Sequence, residues 1–489
     1  MSSIKGEMVK GVMWTAVARY SSLVVQILVS MVLARLLEPS EFGFITMASV
    51  FLAFFNMLAS MGIGPAIIQR TDFTREDHDN VFSFSIVMGC VLSVIFFYLS
   101  WSIGRFYNDD NVIPVCQVMS LCILIATANM VPSALMAGHR RFKESALISF
   151  AGAFVTGVVS MIAAWKGFGV YSLLITPIVG GLITLVCNLH YYPLSFKVKF
   201  SLAPLKSIFS YSVYQFLFEF INYFSKNLDK FLIGKFMSPV QLGYYDKSYR
   251  LMQLPLQNLT SVVNPVIQPV LVSIKEDKKG IAAKYIKIVE LLAIIGFPAC
   301  IIFWFCGEEI ILVMFGEKWL PAVMSFKILS ICVPFNLISS PSGGFFQVSD
   351  ATKQFFWVSF FNSVLAILVM LFTALTFGTI EALSVGYVST SFICMCASVI
   401  ILLHNVLHNG IKGLLKTLIF PISMMLIVGC CLWILDAMVD CGTVLNLILK
   451  GSIGTILSLA LIQIWGPYNI LSGLKNLWGR VTGAFRKLK

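Results

Sequence analysis

The chain has 489 residues, of which 58% are hydrophobic and 12% charged, and its mean hydropathy is +0.88. These values lie outside the soluble range, and no polar stretch between apolar runs exceeds about 20 residues, so no soluble domain fits. The net charge of +12 is spread between the apolar runs in the way that sets membrane topology, which excludes nucleic acid as a partner.

In chain order the apolar runs cover 12–34, 42–65, 81–104, 114–137, 144–165, 170–191, 207–233, 241–272, 286–306, 321–348, 355–377, 382–403, 415–435 and 444–466. That is about fourteen runs of roughly 20 residues, the length a helix needs to cross about 30 Å of hydrocarbon. The expected fold is therefore an all-α polytopic membrane protein, with 241–272 the least apolar span. Met1 to Gly11 is too polar for a signal-peptide core and the first run is too long for one, so the first run is read as an inserted helix.

The first half recurs 200 residues later without a gap. Pro39 and Gly43 answer Pro239 and Gly243, Pro65 answers Pro265, and Arg75-Glu76-Asp77 answers Lys275-Glu276-Asp277. A drifted echo pairs Met119-Ser120-Leu121 with Met324-Ser325-Phe326. An even number of spans separates the copies, so they share one orientation and form two parallel six-helix repeats about an axis along the membrane normal. The expected division is an amino-terminal six-helix lobe at 1–191, a basic cytoplasmic linker at 192–206, a carboxy-terminal six-helix lobe at 207–403, and two extra helices with a basic tail at 404–489. The proline and glycine pairs are read as outer hairpin turns, proline ending one helix and glycine allowing the reversal.

With the amino terminus in the cytoplasm, inner segments hold 23 of the 35 Lys and Arg residues, and outer loops hold Arg35, Arg105, Lys166, Lys235 and Lys318. This asymmetry places both termini on the cytoplasmic side.

Charge inside an apolar run is costly and faces a cavity or a partner. In the first run Thr15, Arg19, Ser22, Gln26 and Ser30 fall three or four apart, on one helical face. The register puts Glu219, Asn222, Lys226 and Lys230 on the same face of the seventh run. The first helix of each repeat is thus expected to line a cleft, with Arg19 and Glu219 in equivalent places as a candidate proton-coupling pair. The eighth run carries Asp246, Arg250, Gln253, Gln257, Ser261, Asn264 and Gln268, broken by Pro255, Pro265 and Pro269. Within the runs Arg19, Lys226, Lys230, Lys247, Arg250 and Lys327 face only Glu219, Asp229 and Asp246. That surplus favours an anionic ligand, and arginine suits phosphate. The candidate substrate-binding residues are Arg19, Gln26, Glu219, Asn222, Lys226, Arg250, Gln253, Gln257, Asn264 and Lys327. Asp229, Lys230, Asp246 and Lys247 sit near outer helix ends and read as structural pairs. Tyr244, Tyr245 and Tyr249 could stack on sugar rings or anchor at the interface.

No enzyme is expected. The five histidines fall in inner loops or at inner span ends, and no phosphate-binding loop of the G-x-x-x-x-G-K-[ST] kind occurs. The twelve cysteines mostly lie inside apolar runs without metal-site spacing, so neither a metal nor another cofactor is implied.

The chain resembles the polysaccharide transport branch of the multidrug/oligosaccharidyl-lipid/polysaccharide exporter superfamily, and within it Wzx-type flippases of the colanic-acid-exporter kind. The resemblance covers the first twelve spans. It rests on Leu33-Ala34-Arg35-Leu36-Leu37 with Pro39, Phe42 and Gly43, on Gly62-Ile63-Gly64 with Gln69-Arg70, on Gly243-Tyr244-Tyr245 with Tyr249-Arg250-Leu251, and on Met314-Phe315-Gly316-Glu317-Lys318-Trp319. It implies a V-shaped two-lobe bundle in the bacterial inner membrane that translocates polyprenyl-diphosphate-linked oligosaccharide by alternating access. Lipid-linked peptidoglycan precursor flippases of the superfamily carry an arginine in the first helix, a role Arg19 would match. The implied partners are the lipid-linked substrate and membrane lipids. Proton or sodium are candidate coupling ions, and a polysaccharide polymerase with its chain-length machinery are candidate protein partners. Two alternatives stand beside this reading: a cation-coupled multidrug exporter, which would want a cleft rich in carboxylates, and a non-transporting membrane subunit of a polysaccharide synthesis complex.

The orientation is testable at Cys441, which is expected in an outer loop. In a variant lacking the other cysteines, an impermeant thiol reagent should label Cys441 on intact cells. Labelling that requires permeabilised cells would reverse the topology.

Overall fold

The computed structural model describes residues 2–60, 63, 64, 67, 73–197, 201, 223, 227–272, 277–439 and 441–466, without side chains at 2–16, 262–266, 268–270 and 272. Among the described residues all regular structure is helical: α1 (Ser2–Leu36), α2 (Pro39–Ser60), α3 (Arg75–Tyr107), α4 (Val112–Gly138), α5 (Phe142–Trp165), α6 (Tyr171–Tyr191), α7 (227–236), α8 (Pro239–Val272), α9 (Lys278–Phe305), α10 (Gly307–Phe315), α11 (Ala322–Ser330), α12 (Cys332–Ser339), α13 (Ser342–Val348), α14 (Thr352–Phe377), α15 (Ile380–Ile400), α16 (Lys412–Met438) and α17 (Thr443–Trp465). Eleven of these are long and apolar enough to cross a membrane, or up to twelve spans if the bent pair Ala322–Ser330 and Cys332–Val348 is one. The expected seventh span lies mostly outside the described residues. The 34-residue α8, which carries Asp246, Lys247 and Arg250, is not among the eleven. The chain packs as two compact units, Met1–Asp246 and Lys247–Lys489.

In the first unit α3 runs along α4, α1 lies on α5, and α4 also packs on α2 and α6. Polar side chains tie these helices together, since hydrocarbon offers a buried hydroxyl or amide no other partner. Ser93 on α3 donates to the Ser120 carbonyl on α4 at 2.7 Å, and the Asn188 amide on α6 reaches Asn129 and Ser133 at 3.0 Å. α3 starts at a capping box: Thr74 accepts from the Asp77 amide, and Asp77 accepts from the Thr74 amide. The matched triplet in the second repeat works differently. There Asp277 is itself the cap, accepting from Gly280, so α9 begins three residues later than the register would place it.

The chain leaving α6 runs back along the first turns of α3. Its amides are taken up by side chains: Ser195 donates to Asp79 at 2.9 Å, Lys197 to Ser83 at 2.9 Å, and Ser201 to Asn80 at 3.3 Å. Lys197 also pairs with Glu76 at 3.1 Å. The start of the expected linker is therefore docked on the amino-terminal unit. Residues 198–200 and 202–206 of that linker lie outside the described ones.

In the second unit α9 is central, packing against α11, α12, α16 and α17. Tyr285, Val289 and Ala293 of α9 share a core with Phe345, Phe346, Leu402 and Leu403, and the Tyr285 hydroxyl meets Ser342 at 3.0 Å. The run 321–348, expected to be one span, is broken into α11, α12 and α13 with a 42° bend. Prolines account for this. Pro321 and Pro341 sit at the caps of α11 and α13, and Pro334 lies in the first turn of α12, where its missing amide is tolerated. The expected outer loop from Gly307 to Leu320 is itself ordered as α10 and a tight turn, with Trp319 fully buried.

The two helices without a repeat counterpart, α16 and α17, are fixed to α9 by Met424, Val428, Leu432, Leu461 and Ile462 packing on Ile294. They also bring a charge into the unit. Lys450 of α17 is 4% exposed and pairs with both Glu309 of α10 and Asp436 of α16. Glu309 is buried too, whereas the Asp436 side chain is half exposed. Lys450→Met should leave Glu309 buried without its cation, costing about 3–5 kcal/mol. Asp436→Asn should cost less than about 1 kcal/mol. Thermal unfolding of the purified protein in detergent checks both, and adding Glu309→Gln to Lys450→Met should recover part of the loss. No recovery would mean that the lysine acts through its stem rather than its charge.

Candidate functional site

The matched turns meet one another. A Cβ built on Gly43 would overlap the carbonyl oxygen of Pro239, and one on Gly243 would overlap the carbonyl oxygen of Pro39. The contact is reciprocal: each copy of the turn meets the other through the same pair of positions. Neither glycine has a positive φ, and both lie in the second turn of a helix rather than in a reversal. The expectation that they serve tight turns is corrected: they are there because two helix starts approach closer than any side chain allows. Pro39 and Pro239 each open their helix as its first residue. Beside them the two halves of a capping box are divided between the copies. Glu41 accepts from the Glu38 amide at 2.8 Å in the first, and Ser238 accepts from the Gln241 amide at 3.2 Å in the second.

Around this contact the charges expected to be structural are answered nearby. Asp229 is buried and accepts from the Tyr245 hydroxyl at 2.9 Å and the Lys230 amide at 2.8 Å. Lys230 pairs with Asp246 at 2.9 Å. In the second unit the Lys247 ammonium sits over the rings of Phe315 and Trp319, at 5.0 and 5.8 Å. Aromatic packing holds α7 in place: Phe231 lies among Phe51, Phe106 and Tyr107, and Lys235 donates to the Phe106 carbonyl. Tyr245 is fully buried and committed to Asp229, so it is not a platform for sugar.

The candidate ligand-binding residues are distributed as follows. Arg19 and Gln26 are exposed on α1, with Ser22 buried between them on the same face. Glu219, Asn222 and Lys226 lie outside the described residues, as does the side chain of Asn264. On α8, Arg250 and Gln257 are exposed, and Gln253 is half-buried with its amide donating to the Tyr249 hydroxyl at 3.0 Å. Tyr249 in turn meets Tyr387 of α15. Lys327 on α11 is half-buried, and its stem closes over Gly307 at the start of α10, where a Cβ would fall 2.8 Å from its Cγ. Within the second unit, then, Arg250, Gln253 and Gln257 share one stripe of α8, and Lys327 belongs to the packing around α10.

Sequence reasoning overlooked Lys450, Glu309 and Asp436, which add two carboxylates and one cation to the earlier balance and so reduce the cationic surplus. A signal existed: a lysine two turns inside an apolar run needs a carboxylate at its own depth, and Asp436 ends the preceding run. Tyr387 was also overlooked, because a single tyrosine in an apolar run carries no pattern until its neighbour is known.

Comparison with known proteins fits this architecture. The polysaccharide biosynthesis protein family matches residues 32–324, and the chain belongs to that family. It is 24% identical over 480 residues to an uncharacterized membrane protein in the cps region of Klebsiella pneumoniae, covering 97% of this chain and 98% of that one. It is 22% identical over 430 residues to the lipopolysaccharide biosynthesis protein WzxC of Escherichia coli, covering 87% and 86%. Among solved structures its fold is similar to that of the lipid II flippase MurJ in an inward closed conformation, with a TM-score of 0.73 at 14% identity over 92% of this chain and 98% of the other. The chain is a multi-pass membrane protein of a transporter-type family.

The reciprocal glycine contact predicts an uncommon mutational pattern. Gly43→Ala and Gly243→Ala should each destabilise by about 1–3 kcal/mol, because each forces the same two helix starts apart. Once they are apart the second Cβ meets no new obstacle, so the double variant should cost clearly less than the sum. Full additivity in thermal unfolding would mean the two close approaches are independent.

Proposed function

We propose that this chain is a flippase for polyprenyl-diphosphate-linked oligosaccharide, the repeat unit of an O-antigen, capsule or exopolysaccharide, working by alternating access in the bacterial inner membrane with both termini cytoplasmic. The observation that carries the reading is the pair of exposed arginines, Arg19 and Arg250, on polar stripes of long helices in a member of a polysaccharide biosynthesis family. Elsewhere in the described residues, buried carboxylates at helix ends are met by local partners. An arginine on the polar stripe of a membrane helix suits a phosphate-bearing ligand at some stage of the cycle. A diphosphate is such an anion, and its head group must lose water to cross. Guanidinium groups and the amides of Gln26, Gln253 and Gln257 replace that water, with Glu219, Asn222, Lys226, Asn264 and Lys327 as further contributors. The polyprenyl tail stays in the bilayer, so the protein need only shelter the polar end.

Rocking of the 1–191 and 207–403 lobes moves the substrate, driven by a proton or sodium ion, and no covalent step or cofactor is required. Product then passes to the polymerase and chain-length machinery. The multidrug-exporter alternative needs carboxylates facing an organic cation, and the described carboxylates at Asp229, Asp246 and Glu309 already have partners.

The test is sign-specific. Arg19→Ala or Arg250→Ala should lower polysaccharide export about tenfold or more at normal membrane abundance, as expected for losing a charge-assisted contact. Arg→Glu at either site should be worse, because it repels the diphosphate as well. Equal, mild effects of Ala and Glu would overturn the assignment.

A further inference from the structure

Resting on the flippase reading, we propose that Tyr249, Gln253 and Tyr387 form a saccharide subsite next to the cation of Arg250, with Tyr387 the residue that sets sugar specificity. The rings of Tyr249 on α8 and Tyr387 on α15 pack edge to face, centroids 5.5 Å apart at 83°, and their hydroxyls lie 3.4 Å from one another. Gln253, one turn along α8, donates to the Tyr249 hydroxyl at 3.0 Å. Two phenols and a carboxamide thus converge at a helix pair, all three side chains half-buried.

The stripe has an order. Viewed down a helix with 3.6 residues per turn, Tyr249, Gln253, Gln257 and Arg250 follow one another around about 100° of α8. The exposed cation stands at one edge, the exposed amide of Gln257 at nearly the same angle two turns further along, and the half-buried amide and phenols at the other edge. A sugar diphosphate presents the same order of chemistry: a compact dianion, then a ring bearing hydroxyls that both donate and accept. Phenol hydroxyls and a carboxamide also both donate and accept, and a phenol ring offers a flat face to the C–H side of a pyranose. A lipid tail would need none of these groups, and an organic cation would need carboxylate in place of Arg250.

Tyr387 distinguishes sugars rather than anions because it stands on a different helix from the arginine and meets the stripe through Tyr249. A site built to hydrogen-bond hydroxyls rejects a ligand that lacks them in the right place, since its own polar groups are left unmatched. Changing Tyr387 therefore alters which saccharide is accepted and leaves the diphosphate contact in place.

Two lipids separate the subsite from the reading it rests on. One is polyprenyl diphosphate without sugar. The other is the lipid-linked saccharide pool extracted from producing cells in which this transporter has been deleted. Binding of each to the purified protein is measured for wild type, Tyr387→Phe, Gln253→Met and Arg250→Ala, with thermal unfolding as a check that the conservative variants are folded. Wild type should bind the saccharide-bearing lipid more tightly than the bare diphosphate. Tyr387→Phe should remove about threefold to tenfold of that preference while binding the bare lipid as before, the effect of one lost neutral hydrogen bond, and Gln253→Met should lower the preference by a similar factor. Arg250→Ala should weaken both lipids together. If Tyr387→Phe and Gln253→Met keep the full preference while Arg250→Ala weakens both, the subsite is wrong and the flippase reading survives. If wild type binds neither lipid, the flippase reading falls and the subsite with it.

Discussion

An ion in hydrocarbon must be neutralised, hydrogen-bonded or wetted, and that constraint orders the polar groups of this chain. Asp229 is answered by a phenol and a backbone amide, Asp246 by Lys230, and Glu309 by Lys450. Backbone obeys the same rule. Where the chain leaves α6 without helical partners, Asp79, Asn80 and Ser83 of α3 supply acceptors for its amides. Arg19, Gln26, Arg250 and Gln257 differ from these groups in lying exposed on helix faces.

Much of the architecture was legible because hydrophobic length is a blunt and dependable signal. Outside the undescribed segments and α8, the apolar runs return as helices, most of them longer than the run and some starting six to ten residues earlier. The bend within 321–348 has a physical cause. Composition over the run is that of a single span, but Pro334 and Pro341 restart the helix, and apolarity carries no information about direction. Gly43 and Gly243 failed for a related reason. A proline followed four residues later by glycine reads as a turn locally, and only the second copy, 200 residues away, reveals that the glycines make room for each other.

The polar stripe of α8 was legible in the sequence, and its neighbours on other helices were not. Spacing placed Arg250, Gln253 and Gln257 on one stripe, and the structure keeps them there. Spacing could not divide the tyrosines of α8: Tyr245 is sealed against Asp229, while Tyr249 turns toward α15. Neighbours on other helices decide such cases. The Lys450 cluster shows the same limit, since its partners come from α10 and α16 and share no local pattern with it.

The register also shows where the two repeats part. At the helix starts they keep the opening proline and the mutual glycine contact, each copy holding a different half of the capping box. One turn further in, Thr46 in the first copy satisfies itself on the Phe42 carbonyl, while its counterpart Asp246 carries a charge paired to Lys230. Beyond that, Ser49, Val50, Ala53 and Met57 stand against Tyr249, Arg250, Gln253 and Gln257. A duplicated bundle needs its symmetry where the two copies touch, because there each is the other's packing partner. It has no such need along the stripe proposed to meet a ligand. A lipid diphosphate with sugar at one end has no two-fold axis, so two equal half-sites would leave one of them facing the wrong chemistry. Concentrating the amides, the phenols and one arginine on α8 while α2 stays nearly apolar is the arrangement such a ligand favours.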